Sequence, residues 1–179
     1  MSGGNWKAIL AASVAALAAL AGSADAPSSP TRPAVSVGSL SRDVLTQVNA
    51  VRTSHGLAPV RLSASLNAAA AQHSNEMARV GYFAHESANG AAFDKRLARF
   101  YPMGSSHYWS VGENLVWAAP DLSAEEALKL WMSSPPHRKN LLTSRWREIG
   151  ISAVHADSAP GSYGGGPATI ITTDFGVRR

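Results

Sequence analysis

Glu113 stands in "WSVGENLVW", residues 109–117, a run rich in aromatic and β-branched residues that predicts a strand. Strand alternation puts its carboxyl on the same side as Val111, Leu115 and Trp117. An unpaired carboxylate on an apolar face is costly, so a partner is expected. The histidines supply candidates. His85 lies in "GYFAHESANG" after a long alanine-rich stretch, and His137 directly follows two prolines in "SSPPHRKN". Both occupy irregular positions, where side chains commonly serve sites. Two imidazoles and one carboxylate could hold Zn²⁺ or another divalent cation, with water completing a tetrahedron. The competing reading is a salt bridge, or a set of backbone amides, that only locks the strand. His73 falls on the apolar stripe of a helix and reads as a hydrogen-bonded core histidine. His55, His107 and His155 fall in turn-like or strand-end contexts and read as surface residues.

Other chemistries are excluded or weakened. "HESAN" is not the HExxH of helical metalloproteases, and the "GGG" at 164–166 lacks the Lys and Ser/Thr of a phosphate loop. No G-x-S-x-G occurs, and the chain has no cysteine, which closes covalent acyl chemistry, thiolate metal sites and disulfides. The net charge of +4 is spread along the chain. "HRKNLLTSRWR" mixes bases with Trp146, but it reads as a solvated face beside one packed Trp, so no nucleic acid is expected.

The elements that must position these residues follow from periodicity. Val44, Leu45, Val48 and Val51 predict a helix over 41–54, ended by "HGLAP". Leu66, Ala69, Ala70, His73, Met77 and Val80 predict a second over 63–80, with Gly81 as its cap. Phe93, Leu97, Phe100 and Tyr101 suggest a shorter third. Ser123 and Glu126 form a capping-box pattern ahead of Ala124, Ala127, Leu128 and Trp131, and Pro135 and Pro136 stop that helix. "EIGISAVHA" and "ATIITTDFGV" read as an antiparallel pair joined by the turn-rich "GSYGGGP". Helices and strands do not alternate as βαβ units, so the class is α+β.

Residues 1–26 carry one lysine, an apolar run from Ala8 to Gly22, and small residues that offer cleavage after Ala24 or Ala26. This predicts a secretory signal peptide, with a secreted, extracytoplasmic product and no transmembrane anchor once the leader is removed. The run is shorter than the roughly 18–20 residues a spanning helix needs. Cleavage would remove one base, Lys7, and one acid, Asp25, leaving the net charge unchanged. Residues 27–39, rich in Pro and Ser, read as a flexible linker, and the folded domain spans 40–179.

In this order, "LNAAAAQHSNEMARVGYFAH", "VGENLVW", "ALKLWMSSPPHRKNLL", "REIGIS" and "TTDFG" resemble the CAP superfamily of cysteine-rich secretory proteins, antigen 5 and plant pathogenesis-related proteins, in its cysteine-free bacterial branch. The resemblance covers about Leu40 to Gly176. It implies a three-layer α-β-α sandwich with a mainly antiparallel central sheet and a cleft where two histidines and acidic residues can hold a divalent ion. His85 matches the first histidine, Glu113 the acid of the "GEN" strand and His137 the second histidine. The family's other acid stands three residues after the tryptophan matched by Trp131, where this chain has Ser134. That implies a weaker metal site on His85 and His137, with water or Ser134 in the vacant place. Two functions compete: a secreted module that binds a lipid, glycan or protein ligand at the cell envelope, and a metal-dependent hydrolase with Glu113 as general base. The binding module stands ahead, because a metal enzyme normally keeps three protein ligands.

Overall fold

A computed structural model of the chain describes residues 37–179. The leader and most of the Pro/Ser-rich stretch expected from sequence lie outside the described residues. Five helices and four strands follow in the order α1 (Val37–Ser54), β1 (Arg61–Leu62), α2 (Ala64–Val80), α3 (Phe93–Phe100), β2 (Trp109–Ala118), α4 (Ala124–Ser133), α5 (Pro135–Leu141), β3 (Glu148–Ala156) and β4 (Ala168–Arg178). The sheet order is β1-β3-β4-β2. β4 pairs antiparallel with both long neighbours, whereas two-residue β1 runs parallel to β3, so the sheet is mixed with a mainly antiparallel body.

Alternation along the strands sorts side chains into two faces. On one face Val116, Ile171, Phe175 and Val177 meet Leu40, Val44 and Val48 of α1 and Ala127 and Trp131 of α4. On the other, Leu115 and Ile170 meet Met77 of α2, while Val111 meets Leu66 and Ala69 of α2 and Phe93 and Leu97 of α3. The sheet therefore lies between α1, α4 and α5 on one side and α2 and α3 on the other, as the α-β-α expectation has it.

Glycine sets how closely α2 sits. A Cβ at Gly150 on β3 would lie 2.0 Å from the carbonyl carbon of Leu66, so only a bare backbone lets the helix rest on the strand there. The helix ends as its sequence predicts, with Gly81 left-handed (φ 86°) and its N–H donating to the Met77 carbonyl. The Ser123–Glu126 capping box forms at the start of α4. Two local readings change. α1 begins at Val37, ahead of Ser41. Pro135 and Pro136 do end α4, but they also open α5, because proline suits a first helical turn whose N–H has no intrahelical acceptor.

Candidate functional site: a buried ion-paired cluster

Glu113 is fully buried on the α2–α3 face of β2, and each carboxylate oxygen has a cationic or N–H partner. His85 Nδ1 lies 2.7 Å from Oε1, and the Arg96 guanidinium donates to Oε2. Arg96 also donates through Nη1 to the His85 carbonyl at 3.0 Å. One guanidinium thus fixes both the acid and the loop that carries its histidine. Burial alone would push the Glu113 carboxyl up; the His85 hydrogen bond and the Arg96 charge outweigh it and hold the group below the usual carboxylate range.

The loop reaches this position because α2 stops at Gly81 and the chain turns back over the sheet. Ser162 donates to the Gly81 carbonyl at 2.8 Å and the Tyr163 hydroxyl to the Tyr82 carbonyl at 2.8 Å, so the β3–β4 loop braces the start of the segment. His73 holds it from below, its Nε2 bonded to the Ala84 carbonyl at 2.9 Å. The core reading of His73 stands, and burial lowers its pKa.

His137 belongs to α5, across the sheet from α2. Asn114, on that face of β2, donates to the His137 carbonyl at 3.1 Å and accepts from Asn140 at 3.0 Å. The His137 ring is buried, and neither ring nitrogen has a hydrogen-bond partner among the described residues. Burial pushes its pKa down to about 4, with the nearby charge of His85 acting in the same direction. It is therefore a neutral imidazole at physiological pH. Ser134 caps the α4–α5 junction and its side chain makes no capping bond. His85 and Glu113 are in direct contact, and His137 lies close enough to feel His85.

Among the described residues no group of three or more His, Asp or Glu side chains is arranged to hold a metal ion. The donors suit at most a two-imidazole site. His137 offers neutral nitrogen, and the Glu113–His85 bond is the kind of carboxylate contact that orients a ligating imidazole.

Sequence reasoning missed two residues here. Arg96 stands on the buried stripe of α3, three residues after Phe93, and Asp174 on β4 is the register partner of Glu113. For Arg96 the available signal was a charge at a position whose periodic neighbours are apolar; Asp174, between Thr172 and Gly176 on its face of β4, carried no such signal.

The sequence pattern of the CAP family, the cysteine-rich secretory protein family, matches residues 45–172. The chain belongs to the CAP family. The CAP chain is 34% identical over 124 residues to the uncharacterized protein YkwD of Bacillus subtilis, covering 69% of this chain and 46% of that one. It is 30% identical over 110 residues to the uncharacterized membrane protein YlbC of the same organism, covering 62% and 30%. It thus spans less than half the length of either relative. In fold it is similar to an outer surface protein of Borrelia burgdorferi, with a TM-score of 0.64, 14% identity and coverage of 81% and 97%. An extracellular SCP-domain protein of Bacillus anthracis gives a TM-score of 0.62, 24% identity and coverage of 87% and 45%. No described helix is long and apolar enough to cross a membrane.

Proposed function

We propose that this CAP domain is a secreted binding module whose cleft, lined by His85, Glu113, Ser134 and His137, takes a lipid, glycan or protein ligand at the cell envelope. One observation carries the reading: both oxygens of Glu113 are already engaged, by His85 and by Arg96. A general base needs an oxygen within reach of the water it deprotonates, and a carboxylate held low by a guanidinium is a weak base. The hydrolase reading is correspondingly disfavoured, and the donor set lacks the third protein ligand that catalytic zinc normally keeps.

A divalent ion would be held by His85 and His137, with water or a ligand oxygen in its other positions. Bound there, it would supply Lewis acidity to polarise a ligand oxygen. The chain's own groups do the rest: Arg96 neutralises Glu113, Glu113 orients the His85 ring, and neutral His137 faces the cleft as donor or acceptor.

Mass spectrometry of the exported protein tests secretion and binding together. Loss of the leader and a co-purifying envelope ligand, absent from the His85→Ala, His137→Ala double variant, are expected. An intact Met1–Ala26 segment would overturn secretion with leader removal. Zn²⁺-dependent turnover of peptide or glycan substrates that disappears in Glu113→Gln would overturn the binding reading in favour of the hydrolase.

A further inference from the structure

Two buried carboxyls face each other beside a single guanidinium. Glu113 and Asp174 are opposite one another in the β2–β4 ladder, on the same face of the sheet, and both are fully buried. Glu113 has His85 and Arg96. Asp174 has no donor within hydrogen-bond distance of either oxygen among the described residues.

None of the described elements around Asp174 places a donor on either of its oxygens. On the β3 side its register partner is Gly150, which brings no side chain. Two residues before it, Thr172 accepts from Ser74 of α2 at 2.8 Å; two residues after it, Gly176 lies under Leu66 and Tyr101. From α2 the titratable group is His73, bonded to the Ala84 carbonyl. From α3 it is Arg96, whose two terminal nitrogens serve the His85 carbonyl and Glu113 and whose Nε has no partner among the described residues, Asp174 included. The loop after α2 gives His85, bonded to Glu113, and α5 gives His137, which is neutral. Among the described residues the enclosure therefore holds one permanent cation and two carboxyls. Ionised, the two acids would repel, and neither could donate to the other. A proton on one of them removes the excess charge and creates a donor at the same time.

We propose that Asp174 is a neutral carboxylic acid that donates its proton to Glu113, making it a third positioning residue for that carboxylate beside His85 and Arg96. Burial pushes the Asp174 carboxyl well above its usual range and the charge of Glu113 pushes it further, with Arg96 opposing. The buried trio of Glu113, Arg96 and Asp174 then carries no net charge. Above the pH at which Asp174 ionises, two like charges lie side by side on adjacent strands.

The inference rests on the cleft reading only for its location and needs no ligand. Its test is a ¹³C-carboxyl NMR titration of the full chain labelled at aspartate, with Asp174→Asn to assign the resonance and to serve as the variant that keeps a donor but cannot ionise. At neutral pH the Asp174 carbon should resonate as a carboxylic acid and move only in alkali. The sign of the stability effect is also fixed. The unfolded chain gives up this proton near pH 4 while the folded chain keeps it, so wild type loses stability as pH rises from about 4 toward the folded value. Asp174→Asn should escape that loss and unfold at a higher denaturant concentration than wild type at pH 7, with the gap closing toward pH 4. A carboxylate resonance at neutral pH, or a gap that does not change with pH, would overturn the proposal. Should the variant fail to fold, Asp→Asn changes at the other aspartates assign their resonances, leave that of Asp174 by elimination, and let the wild-type titration decide. A ligand-bearing protein with ionised Asp174 sinks this inference alone; a ligand-free protein with protonated Asp174 sinks only the binding reading.

Discussion

Arg96 and Glu113 pair inside the protein, 2% and 0% exposed at the side chain, and the pair ties α3 to the edge strand β2. Because the same guanidinium holds the His85 carbonyl, it serves as a joint between helix, strand and loop.

Arg96→Ala should therefore cost about 3–5 kcal/mol, the range for leaving a buried charge without its partner. Arg96→Lys should restore little, since a single ammonium cannot reproduce the guanidinium's simultaneous reach to Glu113 and to the loop. Urea unfolding of both variants measures this. A midpoint for Arg96→Ala within error of wild type would show that the pair contributes nothing.

Acid should weaken the fold through His137. Its folded pKa is about 4, below the ordinary 6.5, so the unfolded chain takes up a proton that the folded chain refuses. Stability then falls as pH drops from about 6.5 to about 4, by on the order of 3 kcal/mol from this group. His73 shifts in the same direction, so the contribution of His137 is the difference between wild type and His137→Gln. Parallel pH profiles for the two proteins would contradict the assignment.

Zn²⁺ binding should be weak and should fail in acid, because only deprotonated imidazole coordinates metal. Titration calorimetry at neutral and acidic pH compares wild type with the His85→Ala, His137→Ala double variant. Equal binding by both would eliminate the site as assigned. Binding lost from a variant that stays folded would support it.

Trp131 fills the core between α4 and the sheet, 1% exposed, with its indole N–H donating to the Leu115 carbonyl at 3.0 Å. Trp131→Ala should cost about 3–5 kcal/mol. Chemical denaturation reads it as a lower midpoint with the slope unchanged.

Much of this architecture was legible because its signals are local. The stripe of α2, its glycine cap and the capping box of α4 each need only neighbouring residues to be read. β1 was not legible, since two residues carry no period and Arg61 and Leu62 pair with β3 only because the chain brings them there. α5 was hidden by Pro135 and Pro136, which read equally as an end and as a beginning. At the site, alternation predicted a buried Glu113 in need of a partner, and the loop contexts singled out His85 and His137. Their chemistry already grouped them as a candidate divalent-cation set, and the family resemblance implied that they share one cleft. Arg96 and Asp174 stayed unseen because a buried charge is identified only by what it meets across the fold, and for both that is Glu113 on β2.

The contact between Gly81 and the β3–β4 loop has a consequence for redesign. A Cβ on Gly81 would lie 2.8 Å from the Pro160 carbonyl, and one on Gly161 would lie 2.1 Å from the Gly81 carbonyl oxygen, so the two glycines interlock backbone to backbone. Gly164, Gly165 and Gly166, a few residues further along the same loop, have open space where a side chain would go. A fluorophore or affinity tag attached at Gly166 would leave the His85 loop in place, whereas a side chain at Gly164 or Gly165 (φ 77° and 82°) would strain the backbone and a graft at 160–161 would spring the latch and carry His85 with it.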